Sequence, residues 1–285
     1  MGYKKIIRKI ANYILIEQPK NNVTVKIGAI ETGKFLQGKK IVVTGGGSGI
    51  GYAMAKKFSS EGAHVLISGR NKEKLLQASK SIGNCEYLVF DISRAESASD
   101  FIAQCVGKLG SVDCLVNNAG VSFHEGSYDN VTIEGFDKQF SINYRGTFFL
   151  SKAFLEYKLK EENIEGAQLL VISSETADFC YDIPYGMTKV GLNSMVQALS
   201  RRVYQQGIRV NAIAPGLTLS DMTKDYGKNS ESNLAFNNAA GRMFLPEEVA
   251  EVACFLLSDA SKCISGEIIH TNAGYHLNPH FKNQI

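Results

Sequence analysis

The chain has 285 residues, 44% hydrophobic and 21% charged, enough to bury one large core in a single α/β domain. Its formal net charge is only +3, with lysines and arginines spread among acids, so there is no electrostatic footprint for nucleic acid. The six cysteines (Cys85, Cys105, Cys114, Cys180, Cys254 and Cys263) form no C-x-x-C pair and suggest neither a metal site nor a redox dithiol, while no apolar run reaches the roughly 18 residues of a membrane span; a cytoplasmic protein without integral membrane association is expected.

Residues 1–37 read as an arm. Ile6, Ile7, Ile10, Ile14 and Leu15 recur at helical spacing among Lys4, Lys5, Arg8 and Lys9, predicting a short amphipathic helix that Pro19, Asn21 and Asn22 end. Asn12, Glu17 and Gln18 cut its apolar run short and no small-residue cleavage site follows, so no secretory leader is expected. Val23, Val25 and Ile27 then alternate with Thr24 and Lys26, as in a half-buried strand. The arm is expected to pack on its own domain or a neighbouring subunit, with a membrane surface as the alternative for a basic helix.

Residues 38–285 are expected to form one domain. Apolar runs at 41–44, 64–68, 85–90, 114–117, 169–173, 209–214 and 267–271 alternate with longer helical patterns. Because these runs are apolar on both sides, they predict parallel strands covered by helices on each face. The fold class is thus α/β, a doubly wound, Rossmann-like parallel sheet of about seven strands, with its ligand outside their carboxyl ends.

The first strand runs straight into Thr44-Gly45-Gly46-Gly47-Ser48-Gly49-Ile50-Gly51, and a helix over 52–60 follows. Glycines allow a tight turn and close approach of a pyrophosphate, whose charge suits the free amides of a helix N-terminus. The spacing of Gly45, Gly49 and Gly51 is wider than G-x-G-x-x-G and resembles the short-chain dehydrogenase/reductase family. The second strand ends Ser68-Gly69-Arg70-Asn71, with Lys72 and Lys74 behind. No acid stands at Gly69 to take the ribose hydroxyls of NAD, and the Arg70 guanidinium suits the 2′-phosphate of NADP, so NADP(H) is favoured over NAD(H).

Further along, Asn117-Asn118-Ala119-Gly120 follows the fourth strand, Asn143 sits in the next helix, Ser173-Ser174 closes the fifth strand and Pro215-Gly216 the sixth. Tyr185 and Lys189 stand four residues apart at the start of a helix running to about residue 206, on one helix face, which brings an ammonium near a phenol. A phenol of pKa about 10 needs such a neighbour to exchange protons near neutral pH.

Taken together and in this order, these motifs resemble those of the short-chain dehydrogenase/reductase family over roughly residues 38–277. The resemblance implies that Tyr185 is the general acid in carbonyl reduction and the general base in alcohol oxidation, and that Lys189 holds the nicotinamide ribose and lowers the tyrosine pKa. It makes Ser174 a donor to the substrate oxygen, and has Asn143 kink its helix and hold a water in a proton relay to Lys189. It assigns Gly45, Gly47, Ser48, Gly49, Ile50 and Gly51 to the cofactor phosphates, and Asp91 with Ile92 to the adenine. Asn118, Ala119 and Gly120 fall along the adenosine, and Pro215, Gly216 and Ser220 near the carboxamide.

Two departures stand out. The stretch from Ser174 to Tyr185 is shorter than the commonest family spacing, so Ser173 or Ser174 can reach the substrate; Ser174 is favoured as the second serine of the pair. Asn272-Ala273-Gly274-Tyr275 replaces a more usual Asp-Gly-Gly, a difference read as structural. The loop 175–184, with Phe179, Cys180 and Tyr181, and the insertion 221–244, with Asn229, Asn233, Asn237 and Asn238, are expected to shape the substrate pocket. Phe123 and His124 stand near its mouth, His124 more simply as a solvated loop histidine. The expected protein is an NADP(H)-dependent oxidoreductase acting on a small carbonyl or secondary alcohol. It is expected to be a homodimer or homotetramer, with Phe148, Phe149, Leu192, Met195 and Val196 on helices over 131–154 and 185–206 suited to subunit contacts as well as to the core. The alternatives are a non-catalytic NADP-binding sensor or scaffold, against which the intact Asn143, Ser174, Tyr185 and Lys189 speak, and an epimerase or dehydratase using transient oxidation.

Overall fold

Seven strands, β1 (Lys40–Thr44), β2 (His64–Gly69), β3 (Cys85–Val89), β4 (Cys114–Asn117), β5 (Gln168–Ile172), β6 (Arg209–Pro215) and β7 (Ile268–Thr271), form one sheet in the order β3-β2-β1-β4-β5-β6-β7. Every pairing is parallel. The computed structural model describes residues 34–162, 164–179, 181–224 and 240–277. The helix and strand expected before residue 34, Cys180 and the four asparagines of the insertion lie outside these residues.

Each strand begins and ends within one residue of the apolar run that predicted it. Successive side chains of a strand point to opposite faces, and both faces here are covered. Val42, Leu66, Leu115, Leu169 and Val210 enter one core layer, while their neighbours Ile41, Val43, Ile67, Val116 and Leu170 enter the other. The first layer is closed by α3 (Ala98–Leu109), α5 (Thr147–Lys158) and α6 (Pro184–Val203), through Phe101, Phe154, Leu192 and Val196. The second is closed by α1 (Gly49–Ser60), α2 (Lys72–Ile82) and α7 (Pro246–Leu257), through Met54, Phe58, Leu75 and Val249. Leu36, near the end of the expected arm, is fully buried in this second layer, and its N–H donates to Glu61 O at 3.0 Å.

The helix expected over 131–154 is not continuous. It consists of α4 (Ile133–Gln139), a π-helical stretch over Phe140–Gly146, and α5. A wider turn of this kind often marks a functional position, and Asn143 lies within it. Gly146 at its end packs on the main chain of Ile92 so closely that a Cβ would overlap the Ile92 carbonyl oxygen. The apolar circumference of these helices is only partly covered: Leu192, Met195 and Val196 are buried, but Phe148 and Phe149 are exposed. Among the described residues no helix is long and apolar enough to cross a membrane.

Candidate active site

The strand order reverses between β1 and β4, and the carboxyl ends of these two strands are stapled together. Thr44 Oγ1 accepts from the main-chain N–H groups of Asn118 and Ala119 at 3.0 and 3.1 Å and donates to Val116 O at 3.3 Å. Asn118 Nδ2 returns a bond to Thr44 O at 2.9 Å. Between these anchors the glycine turn is fixed by two needs. Gly45 adopts a left-handed φ of 67°, and a Cβ on Gly51 would overlap the Gly45 carbonyl oxygen.

Helix α1 starts at Gly49, three residues before the expected start, so the last glycines form its first turn. Its N-cap, Ser48, makes no side-chain capping bond and no acid lies in that turn. The first amides are thus directed at whatever occupies the turn, an arrangement that fits a pyrophosphate. Ser48, Gly49 and Ile50 line one end of a cleft of about 820 Å3, which continues past Asn118 and Gly120 to Pro215, Gly216 and Ser220.

The other end of the cleft is built on β5 and α6. Pro184 at the first turn of α6 presets the helical φ and brings Tyr185 and Lys189, one turn apart, to the cleft wall. Lys189 is buried, donates from Nζ to Ile172 O at 2.9 Å, and lies 5.4 Å from the centroid of the Tyr185 ring. Loss of hydration on burial lowers its pKa from 10.5 to about 8. Ser174 caps the 3-10 turn Glu175–Ala177, its Oγ accepting from Thr176 N at 3.2 Å. The Ser173 hydroxyl instead donates to Asn193 Oδ1 at 2.6 Å. Asn143 bonds at both amide atoms to the main chain of Val121, each at 2.8 Å, so the π-helical stretch holds the chain after β4. The main chain at Gly120 lies against both Asn143 and Lys189.

This geometry has a counterpart in known proteins. A family model described as Enoyl-(Acyl carrier protein) reductase matches residues 45–276, from the glycine turn to beyond Tyr275. The chain is a short-chain dehydrogenase/reductase. As such it is an oxidoreductase acting on CH–OH or carbonyl groups. It is 34% identical over 260 residues to a protein of Bacillus subtilis named "Probable 2,4-dienoyl-CoA reductase", covering 86% of this chain and 99% of the relative. It is 33% identical over 253 residues to a 3-oxoacyl-acyl-carrier-protein reductase of Rickettsia felis, covering 84% and 97%. A short chain dehydrogenase from Burkholderia cenocepacia, solved in complex with NADP, superposes with a TM-score of 0.77 at 26% identity, covering 84% of this chain and 98% of that one.

Not every residue named from the sequence lines the cleft of this short-chain dehydrogenase/reductase. Gly45, Gly47, Gly51, Arg70, Asp91, Ile92, Ala119, Asn143 and Phe179 do not line it. Arg70 is exposed at the end of β2. Partial burial pushes the Asp91 carboxyl up, but bonds from Ser93 N–H and Oγ and the charges of Arg70 and Arg94 outweigh it and hold the group below its ordinary pKa. Lys74, a basic candidate behind Arg70, is engaged with Asp221 at 3.0 Å.

His124 is an exposed loop histidine, but its ring is engaged. Its Nε2 meets Met222 O at 3.0 Å and its Nδ1 meets Ser122 Oγ at 3.3 Å, so it bridges the cleft mouth. A carbonyl only accepts, so Nε2 carries the proton. The segment 272–275 also reaches the site: Tyr275 lines the cleft, and fully buried Asn272 donates to Glu175 Oε2 at 3.0 Å. The sequence reading missed Asn193 and gave no individual role to Thr44, Tyr275 or Glu175, although Glu175 opens the loop 175–184 expected to shape the pocket and does line the cleft. Glu175 carried one usable signal, an ionisable residue directly after the serine pair at a strand end.

Proposed function

We propose that this short-chain dehydrogenase/reductase is an NADP(H)-dependent enzyme that interconverts a small carbonyl compound and its secondary alcohol, with Tyr185 exchanging the proton at the oxygen. The observation that carries this reading is Lys189: a buried ammonium bonded to Ile172 O, beside the Tyr185 ring and on the same cleft as the glycine turn. A cation held out of water next to a phenol favours the phenolate and lets it act near neutral pH. When bound, a nicotinamide supplies or takes the hydride. The first-turn amides of α1 would hold its pyrophosphate, Arg70 its 2′-phosphate and Lys189 its ribose. The two hydrogen bonds between the Asn143 amide and the Val121 main chain favour a positioning part, steadying the chain at Gly120, over the water-holding part that the resemblance implies. Exposed Phe148 and Phe149 favour a homodimer or homotetramer.

Ser174 is the donor to the substrate oxygen in this reading. Its Oγ accepts from Thr176 N, which leaves the hydroxyl hydrogen for the substrate, whereas the Ser173 hydrogen is directed at Asn193. Ser174→Ala will lower kcat by about 100-fold or more, the cost of losing one donor at a developing oxyanion. Ser173→Ala will retain most turnover. Nicotinamide absorbance over a panel of aldehydes, ketones and sugar alcohols reads both variants, and the opposite ranking would reverse the assignment.

For the cofactor, NADPH will bind more tightly than NADH, and Arg70→Ala will narrow the gap by about tenfold, as expected for one charge-assisted bond to phosphate. Fluorescence titration of the two cofactors measures it. Equal dissociation constants in the wild type would refute the preference.

A further inference from the structure

Glu175 is an ionisable side chain in the cleft that has no part in the chemistry described above. It directly follows Ser174 at the carboxyl end of β5 and lines the cleft with Ser174, Tyr185, Thr218 and Tyr275. The fold holds its carboxyl group in place from two other strand ends. Asn272, after β7, donates to Oε2 at 3.0 Å, and the Leu217 N–H, after β6, faces the same carboxylate. Asn272 is itself fixed: it is fully buried, and its Oδ1 accepts from His276 Nδ1 at 3.0 Å. The His276 ring stacks on that of His270 at 3.6 Å, and His270 bonds Asp178 at 2.8 Å. On the same turn Thr176, also at the cleft, keeps Oγ1 buried without a partner among the described residues. A carboxylate so anchored at the cleft wall is a polar recognition surface next to the reacting centre.

We propose that Glu175 is a specificity-determining residue that accepts a hydrogen bond from a hydroxyl neighbouring the reacting carbon, so that the enzyme takes neutral, multiply hydroxylated substrates of the vicinal diol or α-hydroxy ketone class and disfavours substrates anionic at that position. The inference rests on the cleft being the hydride-transfer site. Ser174 and Glu175 are consecutive and both line the cleft, so a substrate whose reacting oxygen meets Ser174 presents its neighbouring carbon to the wall that Glu175 forms. A site built to bond a hydroxyl disfavours an analogue that lacks it, because the acceptor position on the cleft side of the carboxylate then goes unfilled.

The test compares trans-cyclohexane-1,2-diol, cyclohexanol and trans-2-hydroxycyclohexane-1-carboxylate as substrates with NADP+ and, by calorimetry, as ligands of the NADP+-saturated Tyr185→Phe protein. The calorimetric arm reads recognition without turnover. The wild type is expected to prefer the diol over cyclohexanol by about tenfold or more in kcat/KM, the worth of one hydrogen bond to a charged group. The Tyr185→Phe protein is expected to show the same preference in Kd. Glu175→Gln keeps an oxygen for Asn272 and removes the charge; it is expected to reduce the preference to threefold or less and to improve use of the carboxylate about tenfold. Equal affinity for diol and cyclohexanol, or a preference that survives Glu175→Gln unchanged, overturns the proposal. A binding preference that Glu175→Gln abolishes, without NADPH formation from any of the three, supports the role of Glu175 and counts against hydride transfer in this cleft.

Discussion

Tyr185→Phe will bind the nicotinamide cofactor within a few-fold of the wild type and will lose at least about a thousandfold in kcat, in the upper part of the range for removing a general acid or base. The substitution deletes one hydroxyl and keeps the ring that faces Lys189 at 5.4 Å, so the wall of the cleft is retained. Cofactor titration and steady-state turnover separate binding from chemistry. A variant with wild-type turnover would remove Tyr185 from the mechanism. If binding fell as far as turnover, the residue would belong to the cofactor site alone.

The second large effect runs in opposite directions for stability and activity. Burial lowers the Lys189 pKa to about 8, against 10.5 in the unfolded chain. Between those values the unfolded chain binds more protons, so the stability of the cofactor-free protein rises with pH across that window. Below about pH 8 the cost is fully present and amounts to roughly 3 kcal/mol. Lys189→Met fills the same volume without a charge. It forfeits the bond to Ile172 O, worth about 1 kcal/mol, and removes the larger penalty. The cofactor-free variant will therefore melt several degrees higher than the wild type at pH 7, an advantage that shrinks by pH 10, and it will be catalytically inert. Thermal unfolding at the two pH values checks the sign; a variant less stable at pH 7 would show that the lysine is held by compensating contacts rather than at a cost.

The parts legible in the sequence were those encoded locally. Runs such as 41–43 and 169–172, apolar on both sides and bounded by turns, fix strand ends to within one residue, and a strand end in a parallel sheet fixes which residues meet the cleft. Ser174 reaches it for that reason, and Tyr185 and Lys189 because they stand one turn apart at the start of α6. What escaped depends on partners distant in the chain. The bond from Asn272 to Glu175 joins residues 97 apart, and that from His124 to Met222 joins residues 98 apart. Thr44 reads as an ordinary β-former until β4 places two N–H groups on its hydroxyl. The kink that the resemblance implied at Asn143 takes the form of a π-helical stretch over residues 140–146, which the side chains do not spell out and at whose end Gly146 packs on Ile92. Lys74 was visible as a charge, but not its engagement with Asp221.

The bridge at the cleft mouth has an evolutionary reading. His124 grips Met222 by its main-chain carbonyl, not by its side chain. Any residue at position 222 offers the same acceptor, so the identity of that side chain can drift while the fastening persists. A lineage can thereby try new chemistry at the entrance without refolding it, and a designer can randomise position 222 while leaving His124 as the fixed post.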